Sequence, residues 1–120
     1  MSITIDDQTD RPLDRITTHP GEVLHEEFMV PLGLSANALA RALHVPPNRV
    51  TAIISRTNPR AITPDTALRL SRYFGTTAEF WLNLQQAHDL SRAEREMRAQ
   101  IALEVRPRDP SRQAAIASQV

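Results

Sequence analysis

Apolar side chains recur along the middle of this 120-residue chain every three or four residues, the period of helices with one buried face. Val23, Leu24 and Phe28 begin the pattern, and Leu39 and Leu43 follow with the small Ala40 beside them. Val45, Val50 and Ile53 come next, then Ala67, Leu68, Leu70 and Phe74, then Phe80, Trp81, Leu84 and Ala87. Leu90, Ala93, Met97 and Ile101 extend the last set as a stripe. No segment alternates polar and apolar positions over the length of a strand, so the predicted fold is all-α, with five helices.

Helix start and stop signals sharpen these boundaries. Pro20 suits a first helical position and Glu22 the positive end of the macrodipole, so a first helix is predicted over about 20–30. Pro31 then interrupts the hydrogen-bond ladder and Gly33 completes the stop. Ser35 is the N-cap of the second helix, with Leu34 and Leu39 at the N′ and N4 positions of a hydrophobic staple. Val45 and Val50 repeat that spacing around a third helix opened by Pro47. RTNPRA, between Ser55 and Ile62, reads as a loop. Thr63, Pro64 and Asp65 start the fourth helix and Gly75 ends it. Thr76 and Glu79 have capping-box spacing for the fifth, and Ser91 with Glu94 repeats the box, which predicts a kink or restart near Leu90. The domain is expected to span 19–104, between an acidic, flexible arm (1–18) and a loose tail (105–120).

The second and third helices are short and joined by a tight turn, with a small residue where they must cross. That is the arrangement of a helix-turn-helix, whose second helix enters the DNA major groove. The base-reading candidates lie on the first turns of that helix: Pro47, Asn48, Arg49, Thr51 and Ala52. Asn48 offers the amide pair that matches adenine, Arg49 the fork that matches guanine, and the methyls of Thr51 and Ala52 suit thymine. Candidate phosphate contacts are Ser35, Ala36 and Asn37 at the start of the second helix, and Ser55, Arg56 and Arg60 after the third. His44 occupies the turn, where a left-handed residue is expected.

Charge agrees with this reading only when it is resolved along the chain. The net charge is zero, but residues 28–78 hold six arginines against one acid, Asp65, while 1–27 hold seven acids against two arginines. The basic stretch coincides with the helix-turn-helix, as a footprint on phosphate should. There is no cysteine, which excludes disulfides and thiolate metal sites. His25-Glu26-Glu27 begins like a zincin helix, but Met29 stands where the second histidine is needed. His19, His25, His44 and His88 share no ligand spacing. No catalytic residue, metal, cofactor or small-molecule substrate is expected. No apolar run reaches membrane-spanning length, and no signal peptide is visible, so the expected location is the cytoplasm. The stripe of Leu90, Ala93, Met97 and Ile101, with the i,i+4 pairs Arg92–Glu96 and Glu94–Arg98, is read as a dimer or partner seam.

HPGEVLHEEF, GLSANALARALHVPPNRV and ITPDTALRLSRYFGTTAEFWLNLQQAHDL together resemble the HigA antitoxins, Xre-type helix-turn-helix proteins of bacterial toxin–antitoxin modules. The resemblance covers roughly 19–105. It implies a lambda-repressor-like (Xre/Cro) domain of five helices with an extended C-terminal helix. It further implies a homodimer on a palindromic double-stranded operator, repression of its own operon, and binding to a HigB-type toxin, an mRNA-cleaving ribonuclease of RelE-like fold. Three positions depart from the family pattern. Ala36 stands where a glutamine often contacts phosphate, His44 replaces the usual turn glycine, and SRTNPR replaces a shorter, more glycine-rich link. Two other readings stay open: a stand-alone Xre-type regulator without a toxin, and a protein-binding inhibitor whose DNA face is vestigial.

Overall fold

The structure is a computed structural model, and it describes residues 17–108. The acidic arm, apart from residues 17 and 18, and the tail beyond 108 lie outside the described residues. Five helices make up the described chain, and it contains no strand. The first, α1, covers residues 20–32 and is built of Pro20–Val23, a π-helical stretch Leu24–Met29 and Val30–Leu32. The others are α2 (Ala36–Leu43), α3 (Pro47–Ile53), α4 (Pro64–Phe74) and α5 (Ala78–Glu104).

The π-helical stretch explains two features of α1. Leu24 and Met29 are both buried, although five residues of ordinary α-helix, at about 100° each, would turn them apart. Pairing five residues on, as in the bond from the Val30 N–H to the His25 carbonyl, brings them to one face. The wider turn also moves carbonyls away from the Pro31 ring, so α1 runs to Leu32 rather than stopping near Val30. Gly33, at φ 66°, then closes a Schellman turn, with Gly33 N–H on Val30 O at 3.1 Å and Leu34 N–H on Met29 O at 2.9 Å.

The same motif joins α2 to α3, and here the left-handed residue is His44, at φ 60° and ψ 47°. Its N–H reaches Arg41 O at 3.2 Å, and Val45 N–H reaches Ala40 O at 3.0 Å. An exposed histidine is strained in this conformation by about 1 kcal/mol, and glycine is not. His44→Gly is therefore expected to raise the melting temperature by about 4 °C, with DNA affinity unchanged. A fall in calorimetry would contradict the strain argument.

Ser35 and Thr63 cap α2 and α4 as expected, through bonds from Ala38 N–H and Thr66 N–H. The cap of α5 is Thr77, not Thr76: Thr77 accepts from Phe80 N–H, while the Thr76 hydroxyl accepts from the Trp81 indole at 2.8 Å. That shift takes Glu79 out of the N3 position of the expected box. The Ser91–Glu94 box is not used either. α5 runs without interruption through Leu90, and the Ser91 hydroxyl instead accepts from Thr17 N–H at 2.9 Å and donates to His88 O.

The core gathers Leu24, Met29, Leu39, Ala40, Leu43, Val50, Ile53, Ile62, Ala67, Leu70 and Trp81. Leu34 and Val45, the outer halves of the two staples, pack against it half-buried. Leu68, expected inside, is 61 % exposed, because Ala67, Leu70 and Phe74 already define the inward face of α4. Ala87 is also exposed and Phe80 is 38 % exposed, whereas Gln85 is buried. Gln85 satisfies the loop: its Oε1 accepts from Ile62 N–H at 2.7 Å and its Nε2 donates to Asp89 at 3.0 Å. Beyond Ser91, α5 leaves the body, and residues 92–108 are exposed except for half-buried Glu94. No helix among the described residues is long and apolar enough to cross a membrane.

Candidate nucleic-acid interface

Val50 and Ile53 are sunk in the core, which fixes how α3 is rotated. At about 100° per residue, the direction opposite them falls on Asn48, Thr51, Ala52 and Ser55. Asn48 and Thr51 are exposed and Ala52 is half-buried. The Asn48 amide has no hydrogen-bond partner among the described residues, so both its donor and its acceptor are available to a base edge. The Thr51 hydroxyl donates to Asn48 O at 3.2 Å, which leaves its methyl for apolar contact. Ala52 is partly covered because its carbonyl accepts from Arg60 N–H at 2.9 Å. Pro47, exposed, is the first residue of the helix.

Arg49 is paired within the fold. It lies on the flank of α3, and its Nη1 donates to Asp65 Oδ2 at 2.8 Å. Asp65 also takes Arg69 Nε at 3.1 Å, and Arg69 Nη1 donates to Leu43 O at 2.9 Å. One carboxylate on the first turn of α4 thus links the reading helix to the end of α2. Hydrogen bonding from Arg69 is the largest effect on its pKa and, with the charge of Arg69 and the hydrogen bond and charge of Arg49, holds it below the usual carboxylate value against the opposing effect of desolvation.

The expected phosphate contacts are accessible to different degrees. Ser35 Oγ accepts from Ala38 N–H at 3.1 Å, so its own proton is free to donate. Ala36 and Asn37 supply first-turn N–H groups of α2, the former half-buried and the latter exposed. Ser55 Oγ accepts from Asn58 N–H at 3.2 Å and sits half-buried in the loop. The Arg56 side chain is 85 % exposed, 3.6 Å from Glu26, and Arg60 is exposed. Among the described residues, the seam residues Leu90, Ala93, Met97 and Ile101 all lie exposed on the part of α5 that flanks or leaves the body.

The corner behind the reading helix is built around histidines. His19 is buried, and its Nδ1 accepts from Gly21 N–H at 2.8 Å, capping α1. The His88 ring stands edge-on to it at 4.8 Å, and its Nδ1 donates to Thr17 O at 2.7 Å. Thr17, expected in the flexible arm, is thereby tied to α5. Burial, then the charges of His88 and Arg92, lower the His19 pKa below 6.5, with Asp89 opposing. A ring held neutral in the folded chain but protonated in the unfolded one gives stability that is present above pH 6.5 and is lost as pH falls below it. The melting temperature is expected to drop between about pH 7.5 and pH 5.5, and to drop less in His19→Asn, whose amide oxygen caps without titrating. Equal drops in both proteins would exclude His19 as the cause. No group of acids and histidines among the described residues could hold a metal.

Known proteins share this fold. The helix-turn-helix family model matches residues 26–81. Virulence-associated protein I of Dichelobacter nodosus is 58 % identical over 78 residues, which cover 65 % of this chain and 70 % of that protein. The structure of a HigA-family addiction module antidote protein from Coxiella burnetii superposes with a TM-score of 0.70 at 50 % identity, over 78 % of this chain and 99 % of that one. The structure of Pseudomonas aeruginosa antitoxin HigA with the higBA promoter superposes with a TM-score of 0.73 at 42 % identity, over 79 % of this chain and 100 % of that one.

Proposed function

Since the chain belongs to the Xre-type helix-turn-helix family that includes the HigA antitoxins, we propose that it is an antitoxin that represses its own promoter and neutralises a HigB-like, mRNA-cleaving toxin. The observation that carries the DNA half is the outer face of α3. A free amide at Asn48 and a methyl at Thr51 stand opposite a helix face locked by Val50 and Ile53, with Arg56 and Arg60 beside them. In this reading Pro47, Asn48, Arg49, Thr51 and Ala52 face base edges, and Ser35, Ala36, Asn37, Ser55, Arg56 and Arg60 face the backbone. The protein binds its operator as a homodimer, and the exposed apolar stripe of Leu90, Ala93, Met97 and Ile101 is the seam available to a second copy or to the toxin. It works in the cytoplasm, where both operator and mRNA are found.

The test has two arms. Fluorescence anisotropy with a duplex of the chain's own promoter and an unrelated duplex of equal length should show selective, salt-dependent binding. Co-expression with a toxin-sized neighbouring reading frame should relieve growth arrest and yield a complex in pull-down. Equal affinity for both duplexes would remove the repressor role. Selective DNA binding without rescue would leave a stand-alone regulator.

A further inference from the structure

The arginines at the candidate interface are not equivalent. Arg56 is 85 % exposed and only loosely paired with Glu26 at 3.6 Å, without a hydrogen bond among the described residues to hold its direction. Arg49 is held at 2.8 Å by Asp65, and its side chain is 37 % exposed. The carboxylate that holds it is itself fixed. Arg69 Nε meets Oδ1 at 3.2 Å and Oδ2 at 3.1 Å, while Arg69 Nη1 is anchored on Leu43 O at 2.9 Å and reaches toward His44 O at 3.5 Å. Asp65 is thus oriented by the helix-turn-helix turn and in turn orients an arginine of the reading helix.

Stability does not account for this arrangement. The Asp65 side chain is 55 % exposed, and ion pairs this open contribute little to folding. Its placement has a direct consequence for DNA, however. Asp65 is the single acid among the six arginines of residues 28–78, and it puts a negative charge within hydrogen-bond reach of the reading helix. A guanidinium has five donors in a rigid fork, and Asp65 engages Arg49 at one nitrogen, so the rest of the fork stays available but loses its freedom to swing. A tethered arginine meets a base edge or phosphate only where the duplex brings one to it, whereas a mobile arginine binds any phosphate in reach.

We propose that Asp65 is a positioning residue for DNA selectivity: locked by Arg69, it holds the Arg49 guanidinium in one direction on the flank of α3 and so denies unrelated DNA a mobile cation. This rests on the DNA-binding reading above. The full chain and its Asp65→Asn, Arg49→Ala and double variants are compared by anisotropy on the chain's own promoter duplex and on a scrambled duplex, across a salt series. Asp65→Asn is expected to bind the scrambled duplex about tenfold more tightly at low salt, with a salt slope steeper by about one counterion. The ratio of promoter to scrambled affinity falls about tenfold. In the Arg49→Ala background Asp65→Asn leaves that ratio and slope unchanged, because the cation it would release is absent. Equal gains with and without Arg49 would reduce Asp65 to a bare charge and overturn the proposal. So would an unaltered ratio, or weaker binding to both duplexes through a loosened turn. A wild-type chain that binds neither duplex overturns the DNA reading along with it, whereas a selective wild type with an unchanged variant overturns only the role of Asp65.

Discussion

Gly21→Ala is expected to lower the melting temperature by at least about 12 °C. Local propensity argues for the opposite sign: alanine inside a helix is favoured over glycine by about 1 kcal/mol. The packing reverses it. A Cβ at Gly21 would overlap the carbonyl oxygen of Ile53 and crowd the Ile53 carbonyl carbon. Both belong to the backbone at the end of α3, so no flexible side chain can move aside. His19 holds Gly21 there through its cap, and Gly21 and Ile53 are both buried. The start of α1 must then lift off α3, at a cost of about 3 kcal/mol or more, which outweighs the propensity gain. Circular dichroism melting checks this directly. A variant more stable than the parent would mean that the two helices do not meet at this glycine.

Asn48→Ala is expected to weaken binding to the chain's own promoter by about tenfold to a hundredfold, the 1–3 kcal/mol that one bidentate base contact discriminates. Binding to unrelated DNA should barely change, since an amide adds no charge to the phosphate attraction. The melting temperature should stay put too, because the side chain is exposed and has no partner among the described residues. Arg56→Ala serves as the contrast: it removes an exposed charge on the proposed backbone side, and should weaken binding to every duplex alike and lower the salt slope by about one. An Asn48→Ala protein that still prefers its promoter would show that selectivity resides elsewhere. Toxin neutralisation, on the proposed reading, survives both substitutions.

Local patterns carried most of the architecture. The boundaries at Ser35, Pro47, Thr63 and Gly75 follow from capping and backbone chemistry that acts within a few residues. The left-handed turn at His44 was readable for the same reason. Errors arose where a long-range partner competed with a local signal. The Thr76 hydroxyl went to the Trp81 indole, so the cap passed to Thr77. The Ser91 hydroxyl went to Thr17, so no second box formed. Pro31 did not stop α1, because the π-helical turn ahead of it relieved the clash.

The candidate interface divides along the same line. Asn48 and Thr51 were legible as first-turn residues of α3, and with Val50 and Ile53 inward the helical period turns both to the exposed side. It could not place Arg49, whose partner Asp65 comes from another helix, sixteen residues later. The lone acid in a basic stretch was the available sign of that pairing. Nor could spacing reveal that Gly21 abuts Ile53, that His19 and His88 share a corner, or that Gln85 closes the loop at Ile62. The amino-acid order by itself determined the helices, their capped ends and the exposed reading face, because those depend on interactions between near neighbours. Which charges are tethered across helices, as Arg49 is to Asp65, was decided only by tertiary structure, because such a pair depends on distances between elements that no local pattern encodes.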